Sequence, residues 1–237
     1  MKYINFTVLL VLSAAAFAFS QGDKEKQSAK TVADSEVKPP TGWGKSGSDP
    51  GNYEIFADTS IRRSGKASAT IKAKPTIEKD RFTTLMQSVR ADNFRGKRVR
   101  LSGYMKTENV GKYAGMWMRV DGTDMKMLDF DNMTDRPIKG TTDWKRYEVV
   151  LDVGSDAQQI AFGVNLGESG QVWADDLKLE IVGQEIAKTS LKISPEEQKN
   201  NEKELEEYKR ANKEKFEASL ARIKTRPLAP VNLDFEN

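Results

Sequence analysis

Four side chains, Tyr104, Trp117, Arg119 and Asn165, have the chemistry of a platform for a polar ligand. Their spacing puts them on one side of alternating runs. In Arg98–Lys106, Val99, Leu101 and Met105 share one face, while Arg100, Ser102, Tyr104 and Lys106 share the other. Tyr113–Val120 divides into Ala114, Met116, Met118 and Val120 against Tyr113, Gly115, Trp117 and Arg119. Ile160–Leu166 divides into Ile160, Phe162, Val164 and Leu166 against Ala161, Gly163 and Asn165. With a period of two, the apolar sets face a core and the mixed sets face away from it. Rings beside amide and guanidinium groups suit a sugar, whose C–H faces stack on aromatic rings and whose hydroxyls need fixed donors and acceptors. The competing expectation is that the terminal helix or an edge of a second sheet covers Trp117 and Tyr104. Trp144 and Trp173 read as structural packing at strand starts, and Trp43, in a glycine-rich lead-in, as either a lid or a plug.

Catalytic chemistry has fewer candidates. Asp121, Asp124, Asp129, Asp131 and Asp135 cluster around Asp121-Gly122-Thr123-Asp124. A glycosidase pair needs two carboxyls about 5–9.5 Å apart, but aspartate and glycine are also the ordinary residues of turns. The chain has no cysteine and no histidine, which removes disulfides, thiol nucleophiles, histidine triads and zincin sites. No phosphate loop, GxSxG elbow or dinucleotide fingerprint is present. The 38 basic and 35 acidic residues leave a formal charge of +3, without the clustered basic excess that nucleic acid requires.

These residues are carried by 237 residues whose organisation is legible from composition. Residues 1–20 read as a secretory signal: Lys2, an apolar run, then Ala18-Phe19-Ser20. The run is shorter than the ~20 residues of a membrane span, so a secreted or periplasmic location is expected, with no membrane span. Residues 21–38 are polar and charged, a tether. Residues 39–183 carry all-β punctuation, with candidate strands Tyr53–Ala57, Ala67–Ala73, Phe82–Arg90, Arg98–Glu108, Tyr113–Asp121, Met125–Asn132, Trp144–Val153, Gln158–Leu166 and Gln171–Val182. Eight to nine strands predict an all-β two-sheet jelly-roll sandwich. Ser194-Pro195-Glu196-Glu197 predicts the start of one long charged helix over 194–226. Its narrow stripe of Leu205, Tyr208, Phe216, Leu220 and Ile223 would dock on its own domain or on a partner helix. Residues 231–237, Val-Asn-Leu-Asp-Phe-Glu-Asn, predict a short terminal strand.

The ordered strings "GKRVRLSGYMKTENV" (Gly96 to Val110), "AGMWMRVDG" (Ala114 to Gly122), "TTDWKRYEVVLDV" (Thr141 to Val153) and "IAFGVNLGESGQVWADDLKLEIV" (Ile160 to Val182) carry a resemblance. With the turn at Ser64–Ser68, the stretch from Pro39 to Val182 resembles galactose-binding-like β-jelly-roll modules related to carbohydrate-binding modules. In secreted bacterial proteins such modules are joined to erythromycin esterase-like hydrolases or to peptidases. The resemblance implies a structural calcium, held by an opening "NLDFE"-like strand, a carbonyl near the Ser64–Ser68 turn and the closing aspartates, here Asp175 and Asp176. The opening strand is missing before Gly42-Trp43, and the same string stands instead at Asn232–Glu236. A returning terminal strand is therefore expected, with Glu236 near Asp175 or Asp176; the other reading is the dangling first strand of a truncated second module.

The resulting functional expectation is a non-catalytic secreted module that binds a carbohydrate or cell-surface glycan through Tyr104, Trp117, Arg119 and Asn165. From a different class comes a structural or protein-interaction module docking through its C-terminal helix, and last a small hydrolase using the aspartate cluster.

Overall fold

The computed structural model describes residues 38–236. The expected leader and all but the last residue of the expected tether lie outside the described residues, as does Asn237. Nine strands are present among the described residues: β1 (Gly44–Gly47), β2 (Tyr53–Asp58), β3 (Ser68–Ala73), β4 (Phe82–Arg90), β5 (Lys97–Asp121), β6 (Met127–Asp131), β7 (Ile138–Val153), β8 (Gln159–Gly167) and β9 (Gln171–Val182). They form a jelly-roll-like sandwich followed by two helices, α1 (Pro195–Ala211) and α2 (Lys213–Thr225).

The 25-residue β5 organises the sandwich. Its first half, from Arg98 to Glu108, pairs with β9, and the Lys97–Met105 part also pairs with β7. Its second half, Tyr113–Asp121, pairs with β8 on one side and, from Met118, with β6 on the other. Sheet one therefore runs β2-β3-β9-β5-β7 and sheet two β1-β4-β8-β5-β6. Two separate strands were expected where one strand passes from sheet to sheet. The crossing falls where Asn109 takes φ +52, a left-handed conformation that asparagine tolerates. There the β8–β9 turn approaches so closely that a Cβ on Gly170 would lie 2.6 Å from the carbonyl oxygen of Asn109.

The alternation places the core as expected. Val99, Leu101, Met105, Met116, Met118, Val120, Ile160, Phe162, Val164 and Leu166 all lie in one buried apolar cluster between the sheets. Full burial of each large side chain contributes about 1.5–3 kcal/mol.

After β9 the chain wraps around the sandwich. Arg98 donates to the carbonyls of Gln184 and Ile186, and Thr189 N–H donates to the Val150 carbonyl. The capping box at Ser194 forms: its hydroxyl accepts from Glu197 N–H, whose carboxylate accepts from Ser194 N–H. The single expected helix is two, broken at Asn212, whose φ of −133° and ψ of 42° leave the helical region. α1 buries no residue, whereas α2 buries Phe216, Ser219 and Ile223. Met125 joins Phe216 and Ile223, with Leu205, Tyr208 and Leu220 packed around them. The helical stripe is thus engaged on its own domain. No helix among the described residues is long and apolar enough to cross a membrane.

Residues 231–236 do return to the sandwich, without forming a ladder strand. Leu177 N–H donates to the Leu233 carbonyl, and Phe235 is buried in the main core.

Candidate functional site

The outer face of sheet two is built in register from three central strands. Thr84 of β4, Asn165 of β8 and Gly115 of β5 form one row, and Met86, Gly163 and Trp117 the next. Ala161 and Arg119 follow, with Phe130 of β6 opposite Arg119, and then Gln159 and Asp121. Trp117 donates its indole N–H to Thr84 Oγ1 at 2.7 Å. To reach β4 the ring must cross β8 at the level of Gly163, where no side chain stands in the way.

This face is not open. Trp117, Arg119 and Asn165 are each 1% exposed, and Asp121 and Gln159 are fully buried. The covering chain comes from the segment after β9. Leu191 packs against Met86, Trp117, Phe130 and Ala161, and its N–H donates to the Phe130 carbonyl. Ser190 Oγ donates to Asp129 at 3.0 Å. At the far end Arg90 N–H donates to the Pro227 carbonyl at 2.9 Å, which holds the end of α2 beside the Asp121–Gln159 row. Three of the four expected contacts are therefore buried, because a strand's phase gives the face and not what lies over it.

The fourth expected contact, Tyr104, does not join the other three. It sits on the first half of β5, half-buried on the outer face of sheet one, opposite Asp175 and Arg146. The Arg63 guanidinium lies 3.5 Å from its ring centroid. Because β5 changes sheet between Tyr104 and Trp117, the non-core residues of its two halves end on opposite sides of the molecule.

Beneath the cover the polar groups are unevenly matched. Arg119 and Asp121 form an ion pair, Nε to Oδ1 at 2.8 Å and Nη2 to Oδ2 at 2.9 Å, and Gln159 Nε2 donates to Asp121 Oδ2 at 2.7 Å. Arg119 Nη1, Gln159 Oε1 and both amide atoms of Asn165 are buried with no hydrogen-bond partner among the described residues. Arg226, directly after α2, is pushed down to about 10 by burial; Asp121 pulls it back up, while Arg119 and Arg222 press it further down. Thr84, Asp121 and Gln159 were missed as members of this face. Gln159 and Asp121 continue the phase of Asn165 and Arg119, so alternation alone could have found them.

The other aspartates face structural partners. Asp131 accepts from Arg136 and Met133 N–H, and Asp135 pairs with Arg136. Asp129 accepts from Phe130 N–H, Ser190 and Asp152 N–H. Asp124 is exposed, 4.0 Å from Lys209 Nζ.

The residues implied to hold calcium surround the 63–67 loop, but as acceptors of N–H groups. Asp175 Oδ2 accepts from Arg63 and Ser64 N–H at 2.8 and 3.1 Å. Burial pushes the Asp175 carboxyl up, against the pull of those bonds and of Asp176 N–H. Asp176 takes Arg63 Nη1 and Ser64 Oγ, and Glu236 takes Lys66 N–H at 2.7 and 2.9 Å. A cation is held by oxygens that converge on it, whereas here N–H donors point at the oxygens. Among the described residues no group of three acidic side chains is gathered closely enough to hold a metal ion. Asp175, Asp176 and Glu236 as placed do not fit calcium.

No family model matches the chain. It is 43% identical over 155 residues to the uncharacterized HTH-type transcriptional regulator YbfP of Bacillus subtilis (strain 168), covering 65% of this chain and 52% of that protein. The matched stretch thus spans about half the length of that curated relative. Among solved structures, the enzymatically active domain of bacteriophage CBA120 tailspike protein 4 aligns with a TM-score of 0.49 at 12% identity, over 60% of this chain and 20% of that one. The CBM22-1 xylan-binding domain of Paenibacillus barcinonensis Xyn10C aligns with a TM-score of 0.45 at 12% identity, over 62% and 90%. TmCBM61, in complex with β-1,4-galactotriose, aligns with a TM-score of 0.42 at 16% identity, over 61% and 91%.

Proposed function

We propose that the chain is a non-catalytic carbohydrate-binding module, acting outside the cytoplasm, whose ligand face is the outer face of sheet two. In this reading the segment from Ile186 to Arg226 covers the face until a ligand takes its place. The observation that supports it is the row of unmatched polar atoms beside a fixed indole: Arg119 Nη1, Gln159 Oε1 and the Asn165 amide, flanking Trp117. Burying a polar group without a partner costs about 1–3 kcal/mol. The cover meets the middle of this face with Leu191, an aliphatic side chain that can answer none of those groups. A sugar hydroxyl both donates and accepts, so a saccharide spanning the rows from Asn165 to Gln159 satisfies them and stacks on Trp117.

The test is a glycan array and tryptophan-fluorescence titration of the full chain beside Leu191→Asp, which loosens the cover. Tighter glycan binding by Leu191→Asp, lost again on adding Asn165→Ala, supports the proposal. Absence of any glycan signal from the loosened variant, shown to be folded, removes it.

A further inference from the structure

The return of Val231–Glu236 is a peptide-recognition event as detailed as many between separate molecules. Gln87 occupies a core-facing position of β4, in phase with Leu85 and Val89, where an apolar residue is expected. Its amide is spent on the returning chain: Val231 N–H donates to Gln87 Oε1 at 3.1 Å, and Gln87 Nε2 donates to the Val231 carbonyl at 2.6 Å. The next carbonyl, of Asn232, accepts from Trp43 Nε1 at 2.9 Å, and the Leu233 carbonyl accepts from Leu177 N–H at 3.0 Å. Phe235 is 1% exposed, its ring 5.2 Å from that of Trp43. Glu236 then closes the slot on Lys66 N–H, beside Gly65 at φ +58. An empty slot would open the ring of Trp43, packed between Phe162 and Phe235, to water, so filling it is favoured.

The tether that brings the segment there is held far less firmly. Arg226 is anchored at the end of α2, its N–H donating to the Ile223 carbonyl, but beyond it residues 227–230, with Pro227 and Pro230, are held by Arg90 N–H to the Pro227 carbonyl and Asn93 Nδ2 to the Leu228 carbonyl. α1, upstream, buries none of its residues. Four large apolar side chains stand exposed on the described surface, Ile61, Ile181, Leu228 and Val231; Leu228 lies within this hinge and Val231 directly follows it. A hinge that presents Leu228 and Val231 to solvent is matched by an identical hinge laid against it.

We propose that the slot also accepts Val231–Glu236 from a second copy of this chain, giving a reciprocal dimer in which the two hinges meet through Leu228 and Val231. Every contact in the slot is reproduced in the exchanged form, so the choice between the two forms rests on the hinge and on concentration. This is independent of what the sheet-two face binds.

The experiment is sedimentation of the full chain after unfolding and refolding in dilute and in concentrated solution. It is set beside a variant lacking Pro227–Pro230, whose hinge is too short for the segment to reach its own slot. The expected result is a monomer from dilute refolding and a dimer from concentrated refolding. The hinge-deleted variant doubles in mass, and Phe235→Asp returns it to a monomer. A folded, monomeric hinge-deleted variant, or a dimer that survives Phe235→Asp, overturns the proposal. Should the deletion aggregate, the intact chain decides: monomer alone after concentrated refolding overturns it, and a dimer reduced by Leu228→Ser with Val231→Ser upholds it.

Discussion

The indole N–H of Trp43 donates to the carbonyl of Asn232, 2.9 Å away and 189 residues further along the chain. The same indole meets Phe162 of β8 edge-on at 5.9 Å and Phe235 at 5.2 Å. Trp43 thereby joins the lead-in, sheet two and the returning segment, the plug rather than the lid of the two expectations. Truncation of Phe235 should act like any large-to-small change in a packed core. Phe235→Ala is expected to cost about 3–5 kcal/mol, measured as a lowered urea midpoint with an unchanged slope. A loss within error of zero would mean that the segment does not occupy its slot in solution.

Thr84 holds Trp117 in place, accepting the indole N–H while donating its own hydroxyl to the Val164 carbonyl at 3.0 Å. Thr84→Val keeps the shape and removes both bonds. The expected cost is about 1–3 kcal/mol, since the indole N–H stays buried without an acceptor. Thr84→Ser, which keeps the oxygen, should recover most of it; equal losses in the two variants would show that the hydroxyl is not the partner.

Arg119 and Asp121 form an ion pair in which both side chains are essentially inaccessible to solvent. Removing one partner leaves the other charge buried and uncompensated, so Asp121→Asn should destabilise by about 3–5 kcal/mol. The double change Arg119→Met with Asp121→Leu should cost much less than the sum of the single changes. A double-mutant cycle by chemical unfolding measures the difference, and additive losses would contradict the pairing.

One surface ion pair makes a contribution to stability that depends on acidity. The Arg98 guanidinium, aided by Lys188, holds the Asp152 carboxyl below its ordinary range. A carboxyl depressed in the folded state contributes stability above its unfolded pKa of about 3.9, and that contribution is lost as pH falls through the lower folded value. The stability difference between the wild-type chain and Asp152→Asn should therefore be constant above about pH 5 and shrink to nothing at still lower pH. It should be small, because this pair is partly open to water. A difference that grows on acidification would reverse the assigned direction.

Neither added calcium nor a chelator should move the melting temperature, because the oxygens of Asp175, Asp176 and Glu236 already accept N–H and O–H groups of the 63–67 loop. A rise of several degrees with calcium would show that the loop rearranges into a cation site.

Much of this fold was legible in advance, and the reason is local. Alternation from Val99 to Met105, from Ala114 to Val120 and from Ile160 to Leu166 depends only on backbone pleat, so it identified the core side of β5 and β8 correctly. The serine cap at Ser194 is equally local. Phase carries no information about which sheet a strand belongs to, however. Tyr104 and Trp117 therefore looked like neighbours, although the bend near Asn109 sends them to opposite faces. Nor does phase reveal cover: Leu191 stands in a stretch without periodicity, and its place over Trp117 follows from how the chain leaves β9. The break at Asn212 was hidden by the regular spacing of the stripe on either side of it.

That Phe235 completes the core also governs when the protein can finish folding on the ribosome. At roughly 5–20 residues per second, several seconds separate the synthesis of Val182 from that of Glu236. Throughout that interval the nascent sandwich has all its strands but an open seam lined by Trp43 and Gln87. Such an intermediate is a natural client for chaperones, and for any export machinery that must keep its cargo unfolded the late closure lengthens the time available.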